Sequence, residues 1–504
     1  MKKIFFAISM VLISNLSVNA QDENDALRYS MNPIFGTARA MSLGGANGSL
    51  GGDATGITIN PATLGLYRSS ELTFTTGLEI KNNAATYNSN EINKNAAKFN
   101  FNNVSLIVAD KKQNNNSRKK DWRAINFAIG YNRIANLNSN FDYKGIDKSH
   151  SLIEAYAEEF NSFGGLNDNA KNSVSDGAYA AYQNYLIDKD PLDSTKAKSF
   201  VPTSGGIERL KSVEQSGNIG ELFLSFAGNY KEKLMLGATV GLNNLRYNKS
   251  TLISEKDMSG NRDNDFDNFN SLENLTTTGT GINLKLGAVL RANDYLRFGL
   301  AFHTPTSSFL NDQSTFFMNS NTDSLLIRSG VSSDGKTSYS TEQALVYDYT
   351  FSTPMKTIFS GTALFGKKGF LTGDVEIVNY EMMRYRFTGN SLEATSRNNV
   401  IKNVYKTAVN YRVGAEINLS QIQLRAGAAY YGSPFESTNE NNGGRLNLST
   451  GLGYRVKSWY IDCAFVYGQQ NFQDLPFVLN NMTVASANIS QKTHNAVVTL
   501  GFKF

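Results

Sequence analysis

The stretch Arg445-Leu446-Asn447-Leu448-Ser449-Thr450-Gly451-Leu452-Gly453-Tyr454-Arg455-Val456-Lys457 alternates without a break. Leu446, Leu448, Thr450, Leu452, Tyr454 and Val456 fall on one face, and Asn, Ser, Gly, Arg and Lys on the other. Period two over this length is a strand longer than the ~5–6 residues of an average soluble one. It matches the ~9–11 residues of a strand that crosses a bilayer. Thirteen further segments repeat the pattern, centred on Leu72–Ile80, Val104–Val108, Ile125–Tyr131, Leu222–Phe226, Leu234–Leu242, Ile282–Leu290, Leu296–Phe302, Phe359–Phe365, Leu371–Ile377, Val409–Leu419, Ile422–Tyr430, Trp459–Tyr467 and Val498–Phe504. The reading is all-β: a transmembrane antiparallel barrel of 14 strands over residues 70–504. Its apolar face meets lipid.

Composition agrees. Among 504 residues, 18% are charged and 11% aromatic, with 42 Gly and only 8 Pro. Scarce Pro suits long uninterrupted strands. The mean hydropathy is negative, which excludes a bundle of membrane helices. A soluble sandwich would alternate similarly, but strand length, aromatic content and export favour the membrane barrel. Tight connectors (Lys231-Glu232-Lys233, Asn293-Asp294, Lys367-Lys368, Ser420-Gln421, Lys457-Ser458) alternate with long ones. Short periplasmic turns and long outer loops are the asymmetry of outer-membrane barrels. The last strand ends on Phe504, a terminal aromatic that resembles the signal read by the barrel insertion machinery.

Met1-Lys2-Lys3, the apolar run Ile4–Ile13 and Val18-Asn19-Ala20 read as a signal peptide over residues 1–20, cut after Ala20. The run is too short to span a bilayer, and no Cys near the cut offers a lipid anchor. No later segment has 18 consecutive apolar residues. One Cys and three scattered His (His150, His303, His494) argue against a disulfide framework, a metal centre or a His-based catalytic site. The net charge of +5 is modest, and the basic cluster Lys111-Lys112 and Arg118-Lys119-Lys120 reads as a solvated turn, so nucleic acid is not expected as a partner. No zinc-protease, nucleophile-elbow or phosphate-loop motif is present, so an enzyme is not expected and no cofactor is called for.

Residues 21–69 precede the first strand. They are rich in Gly (Gly36, Gly44, Gly45, Gly48, Gly51, Gly52, Gly56), and Ile57, Ile59, Leu64 and Leu66 offer apolar packing. A segment folded inside the lumen fits this better than a loose tail. The run Gly36–Ala46 (GTARAMSLGGA), then Asp53-Ala54, then Asn60-Pro61-Ala62-Thr63-Leu64, resembles the hatch of the FadL/TodX family. Leu300–Pro305, Gly373–Glu376, Val413–Glu416, Leu424–Tyr430 and Ser433-Pro434 extend the resemblance over nearly the whole mature chain; Thr63 departs from it, standing where the family usually has Gly. The resemblance implies a fourteen-stranded barrel plugged by an N-terminal hatch. It also implies a passive outer-membrane channel for long-chain fatty acids or aromatic hydrocarbons. FadL-like barrels also serve as carriers in surface-protein secretion, which is the alternative reading. A plug disfavours a general aqueous porin, and the scattered His disfavour a barrel lipase or protease. Outer-membrane lipids surround the expected barrel, a hydrophobic small molecule is its expected ligand, and a monomer is expected.

Four groups of residues carry the expected function. Counted from the tight turns, Arg297, Asp374, Glu376, Arg412, Glu416, Arg425, Arg455 and Asp462 face the lumen near its periplasmic end, with Arg39 and Asp53 as candidate partners. Both signs are present, as a buried network requires. Asn60, Pro61 and Ala62 form a rigid corner that positions the gate. In the third strand, Arg133 follows Ile125, Phe127, Ile129 and Tyr131 in phase while Ile134 is out of phase. That calls for a bulge beside Gly130 and Asn132. The resemblance points to the same place, because the family's third strand is kinked and opens sideways to lipid. In the outer loop at about 142–215, Leu152, Ile153, Tyr156, Phe160 and Phe163 have helical spacing, as do Tyr179, Tyr182 and Leu186. Tyr156, Phe160, Phe163, Tyr179 and Tyr182 are the candidates for ligand capture.

Overall fold

The structure, a computed structural model, describes residues 23–31, 33–110, 121–341, 343–436, 443–480 and 482–504. The signal peptide read over residues 1–20 and the basic turn at 111–120 lie outside the described residues. Fourteen antiparallel wall strands close on themselves. The first (Glu71–Tyr87) pairs with the second (Asn90–Val108) on one side and with the fourteenth (Ala487–Lys503) on the other, from Glu71↔Lys503 to Thr86↔Asn488. The third strand runs as Trp122–Asn136 and Ser139–Asp147, and the fourth, fifth and sixth as Ile207–Tyr230, Leu234–Asp257 and Asn268–Arg291. The seventh comprises Leu296–His303 and Ser307–Asn321; the eighth, Leu345–Ser352 and Lys356–Leu364. Gly369–Asn379, Thr407–Leu419, Ile422–Tyr431, Arg445–Arg455 and Trp459–Asp474 are the ninth to thirteenth.

Side chains alternate as the sequence requires. In the first strand Leu72, Phe74, Leu78 and Ile80 are exposed, while Glu71, Thr73, Thr75 and Glu79 are buried. An apolar outside round a polar inside is stable only in lipid, so the chain is an outer-membrane barrel. At 24 residues each, the fourth to sixth strands span roughly 80 Å at ~3.3 Å per residue, far beyond a ~30 Å hydrocarbon core.

Two expectations about connections need correction. The longest loop covers only 148–206, because the third strand continues to Asp147 and the fourth restarts at Ile207. Their inward residues, among them Tyr143, Arg209 and Val213, are buried, but their outward residues, such as Asp142, Lys144, Glu208 and Ser212, are polar and lack the apolar alternation that marks a lipid-facing strand. The outer connections are also not uniformly long. Asn88 (φ 47°) and Ser89 (φ 67°) turn the first strand into the second in two residues, the positive-φ pair of a tight hairpin.

Residues 23–31 and 33–69 lie inside the lumen. Helices Glu23–Ser30, Ala38–Ser42 and Ala54–Ile59 are followed by a 3₁₀ turn at Pro61–Leu66. Thr37, Asp53 and Asn60 cap the last three, accepting from the backbone N–H of Ala40, Thr55 and Ala62.

Candidate functional site

The hatch is seated on glycines of the wall. Gly237, Gly287 and Gly299 lie on inward faces of the fifth to seventh strands. A Cβ at Gly287 would lie 1.9 Å from Asn60 Oδ1, one at Gly237 2.5 Å from Pro61 C, and one at Gly299 2.6 Å from the Gly48 carbonyl oxygen. A second seat uses Gly414, Gly427 and Gly451. Their Cβ atoms would lie 2.6 Å from the Leu43 carbonyl oxygen, 2.3 Å from Gly44 N and 2.4 Å from Ser42 Cβ. Glycine in a strand admits this close approach of a second backbone. The sequence reading missed these seats. The available signal was glycine recurring in phase with the polar face.

All eight wall charges read from the sequence point inward, and most join the hatch or one another. Arg39 Nε meets Glu416 Oε2 at 3.1 Å, and its Nη1 donates to the carbonyls of Gly51 (3.3 Å) and Gly52 (2.8 Å). Arg425 bridges Glu416 and Asp462, each at 2.7 Å, and Arg455 reaches Asp462 at 2.9 Å. Arg412 pairs with Glu376 at 3.2 Å. Asp374 accepts from the backbone N–H of Asn47 and Gly48, and Arg297 donates to the Leu50 carbonyl at 2.6 Å. Asp53 departs from the expected pairing. Among the described residues its carboxylate makes no ion pair with the wall; it accepts instead from Thr37 Oγ1 and Thr55 N, because it caps a helix within the hatch.

Asn60 holds the corner with three bonds. Its Oδ1 accepts from Ala62 N at 3.1 Å, and its Nδ2 donates to the carbonyls of Gly48 (2.7 Å) and Ala288 (3.2 Å). Asn60→Ala removes a cap and strands a buried carbonyl, about 2–4 kcal/mol in all. Hydrogen exchange at hatch amides is expected to accelerate in this variant while the wall strands keep their protection.

Above the hatch, a partly open cavity lies against Tyr29 and Ser30. Ile219, Leu245, Leu310 and Phe351 give it an apolar side. The other side is polar: Lys285 pairs with Glu221, Asn283 Nδ2 donates to Glu221 at 3.0 Å, and the His303 ring N–H donates to the Ile59 carbonyl at 2.8 Å. Lys356 also lines it and has no ion-pair partner among the described residues. The cavity lies where the seventh and eighth strands break side by side, at Pro305 and Pro354. Neither residue has an N–H for the ladder, and Thr306 N donates to Thr353 Oγ1 instead. The sequence reading missed these breaks too.

The third strand slips by one residue against the fourth. Arg133 faces Gly220 and Ala135 faces Ile219, so Ile134 is the extra residue, and it lines the cavity. The ladder between second and third strands runs only from Asn103↔Asn132 to Val108↔Phe127. Beyond it the two strands are joined by Arg133 Nε, which donates to the Phe101 carbonyl at 3.0 Å. Asn132 Nδ2 reaches the Phe35 carbonyl of the hatch at 3.5 Å. Gly130 has no room for a side chain, since a Cβ would lie 2.6 Å from the Val104 carbonyl oxygen. The second strand slips as well: Thr75 faces Asn103 and Thr76 faces Phe101, leaving Asn102 buried with its amide unpaired.

The outer-loop aromatics come together over the barrel's outer end. Phe160 is fully buried against a core that includes Ala181, Phe269, Met318 and Phe477, and Tyr156, Phe163 and Tyr182 pack partly buried against it. Tyr179 meets the Tyr339 ring edge-on at 5.5 Å. Burial pushes the Tyr156 phenol and the Glu159 carboxyl up; bonds from Ser175 to Glu159 oppose the second shift. The loop is tied to the wall at fully buried Arg209, which pairs with Asp147 (2.9 Å) and Glu255 (2.7 Å). Glu255 in turn accepts from the first helical N–H at Leu152.

No family model matches the sequence, and no curated protein sequence is similar to it. Solved structures are similar in fold. A FadL homologue of Pseudomonas aeruginosa is 14% identical, with a TM-score of 0.56 over 94% of this chain and 100% of its own. The toluene transporter TodX of P. putida is 13% identical, with a TM-score of 0.52 over 94% of this chain and 99% of its own. With its fourteen-stranded wall closed round an N-terminal hatch, the chain has the fold of the FadL homologue and of TodX.

Proposed function

We propose that this barrel takes hydrophobic small molecules, of the long-chain fatty-acid or aromatic-hydrocarbon class, passively across the outer membrane. The ligand is first held by the outer-loop aromatics Tyr156, Phe163, Tyr179 and Tyr182, which stand round the fully buried Phe160. It then occupies the lumen cavity and leaves sideways into the bilayer between the second and third strands, past Gly130, Asn132 and Arg133. The hatch, fixed by Arg39 and the Asn60-Pro61-Ala62 corner, closes the straight route to the periplasm. Export by the signal peptide at 1–20, insertion through the strand ending at Phe504 and action as a monomer belong to the same reading.

The observation that carries it is Ile134. The residue expelled from the wall's register lines an apolar-sided cavity beside the stretch where the second and third strands share no ladder. TodX, of like fold, is a toluene transporter. The test is uptake of a labelled long-chain fatty acid or of toluene into liposomes containing the purified protein. Leu245→Trp, which fills the cavity's apolar side, is expected to cut uptake at least about tenfold, a difference of ~1.4 kcal/mol, with the barrel still folded. Uptake no faster than in empty liposomes, together with co-purifying secreted proteins, would favour a carrier in surface-protein secretion.

A further inference from the structure

At the end of the barrel where the tight turns lie, charge is unevenly placed. Near the third to seventh strands cations pair with carboxylates: Lys231 with Asp121 at 3.2 Å, Arg68 with Glu232 at 3.3 Å and Arg291 with Asp294 at 2.6 Å. From the eighth to the thirteenth strand the pattern changes. Lys367, Lys368 and Lys457 stand exposed in two turns, and none has an ion-pair partner among the described residues. The carboxylates of that arc, Asp374, Glu376, Glu416 and Asp462, are all buried on the lumen side. Among the described residues no Asp or Glu side chain is exposed there.

Backbone bonds fix the height of both turns. The carbonyls of Lys367 and Lys368 accept from Asn418 Nδ2 at 3.3 Å and Asn418 N at 2.8 Å. Val456 N donates to the Trp459 carbonyl at 3.0 Å across the turn that carries Lys457, and Arg455 N donates to the Gln421 carbonyl at 2.8 Å. Exposed aromatics stand beside each turn: Phe365 at the first, and Tyr454 with Trp459, rings 5.8 Å apart, at the second. Exposed aromatics at the edge of an apolar wall sit at headgroup level. A lysine just beyond them lays its stem on apolar surface and presents its charge to the headgroups. An anionic headgroup is drawn to that charge, whereas a zwitterionic one has no net charge to draw. We infer that this arc of the rim is a binding surface for anionic phospholipid in the leaflet facing the periplasm. Lys367, Lys368 and Lys457 meet the phosphates, and Phe365, Tyr454 and Trp459 meet the glycerol and first acyl methylenes. The two turns are four strand spacings apart, roughly 19 Å at ~4.8 Å each, so each holds its own lipid. The surface lies outside the wall and does not depend on the transport reading.

Tryptophan fluorescence tests it, because Trp122 and Trp459 are the only tryptophans of the chain. In a Trp122→Phe background Trp459 reports alone. The full-length barrel is reconstituted into phosphatidylcholine vesicles that carry the same minor share of either brominated phosphatidylglycerol or brominated phosphatidylcholine, since bromine quenches an indole it touches. Phosphatidylglycerol should be enriched about fivefold at Trp459, the equivalent of ~1 kcal/mol for one lysine. Lys457→Gln should abolish the enrichment and Lys457→Arg should keep it. Salt at about 1 M, where the Debye length is ~3 Å, should remove it. Lys256→Gln, which deletes the same charge at the outer end of the fifth strand, should leave it unchanged. With Trp459→Phe and Phe365→Trp the reporter moves to the other turn, where Lys367→Gln with Lys368→Gln should abolish the enrichment. Equal quenching by the two lipids in the parent protein would overturn the assignment. So would enrichment that survives Lys457→Gln, or that falls as far in Lys256→Gln.

Discussion

Gly287→Leu is expected to unseat the hatch while the wall still forms. Its Cβ would stand 1.9 Å from Asn60 Oδ1 and 3.0 Å from Ala62 N. Asn60 is itself pinned by bonds to Gly48 and Ala288, so it cannot swing clear without breaking them. Inserting bulk into a filled space costs about 1–3 kcal/mol where side chains can yield, and more where backbone must. Here the opposing atoms belong to a rigid corner. The wall faces no such conflict, because Gly287 keeps its pairs with Gly237 and Ala301. Ion conductance through planar bilayers is the readout: the native barrel should be closed and the variant open. Gly361→Leu, at an outward-facing glycine with nothing within 4 Å, should stay closed. A closed Gly287→Leu barrel would mean that the hatch does not rest on these glycines.

Asp462→Ala is expected to destabilise the protein by about 3–5 kcal/mol, the cost of stranding buried charge. Asp462 is fully buried and takes Arg425 on one oxygen and Arg455 on the other. Its loss leaves two guanidinia to share Glu416, which already serves Arg39. Like charges then face each other beside the hatch. The urea midpoint of reversible unfolding should fall accordingly. Asp462→Glu, which keeps the charge, should recover much of the loss. A midpoint within error of the native protein would mean that water, not these ion pairs, solvates the arginines.

The lipid-facing part of every wall strand was legible because lipid outside and polar lumen inside force period two. The outer halves of the fourth to sixth strands were not, because their outward residues turn polar; in Asn243–Asp257 the apolar residues Leu245, Tyr247 and Ile253 face inward, the reverse of the lipid-facing phase. The charges at the hatch end were legible because Arg297, Asp374 and their neighbours are in phase with the polar face and lie close to tight turns. The partner of Asp53 was not, since a helix cap and an ion pair use the same carboxylate. The slip at Ile134 left a one-residue phase error, visible in sequence. The lumen cavity left none, because it is assembled from strands far apart in the chain and framed by Pro305 and Pro354, whose effect depends on what lies opposite.

The central claim, that a hydrophobic ligand leaves through the wall at the third strand, is tested most directly by stapling that seam. Asn103 and Asn132 are opposed across the last rung of the ladder. Antiparallel partners stand ~4.5–5.5 Å apart at Cα, within disulfide reach. In a Cys463→Ser background, Asn103→Cys with Asn132→Cys should take up labelled fatty acid normally when reduced. When oxidised it should fall to the level of empty liposomes, with full recovery on reduction. Undiminished uptake in the oxidised protein, with the disulfide verified by mass spectrometry, would contradict lateral exit and point to passage past a displaced hatch.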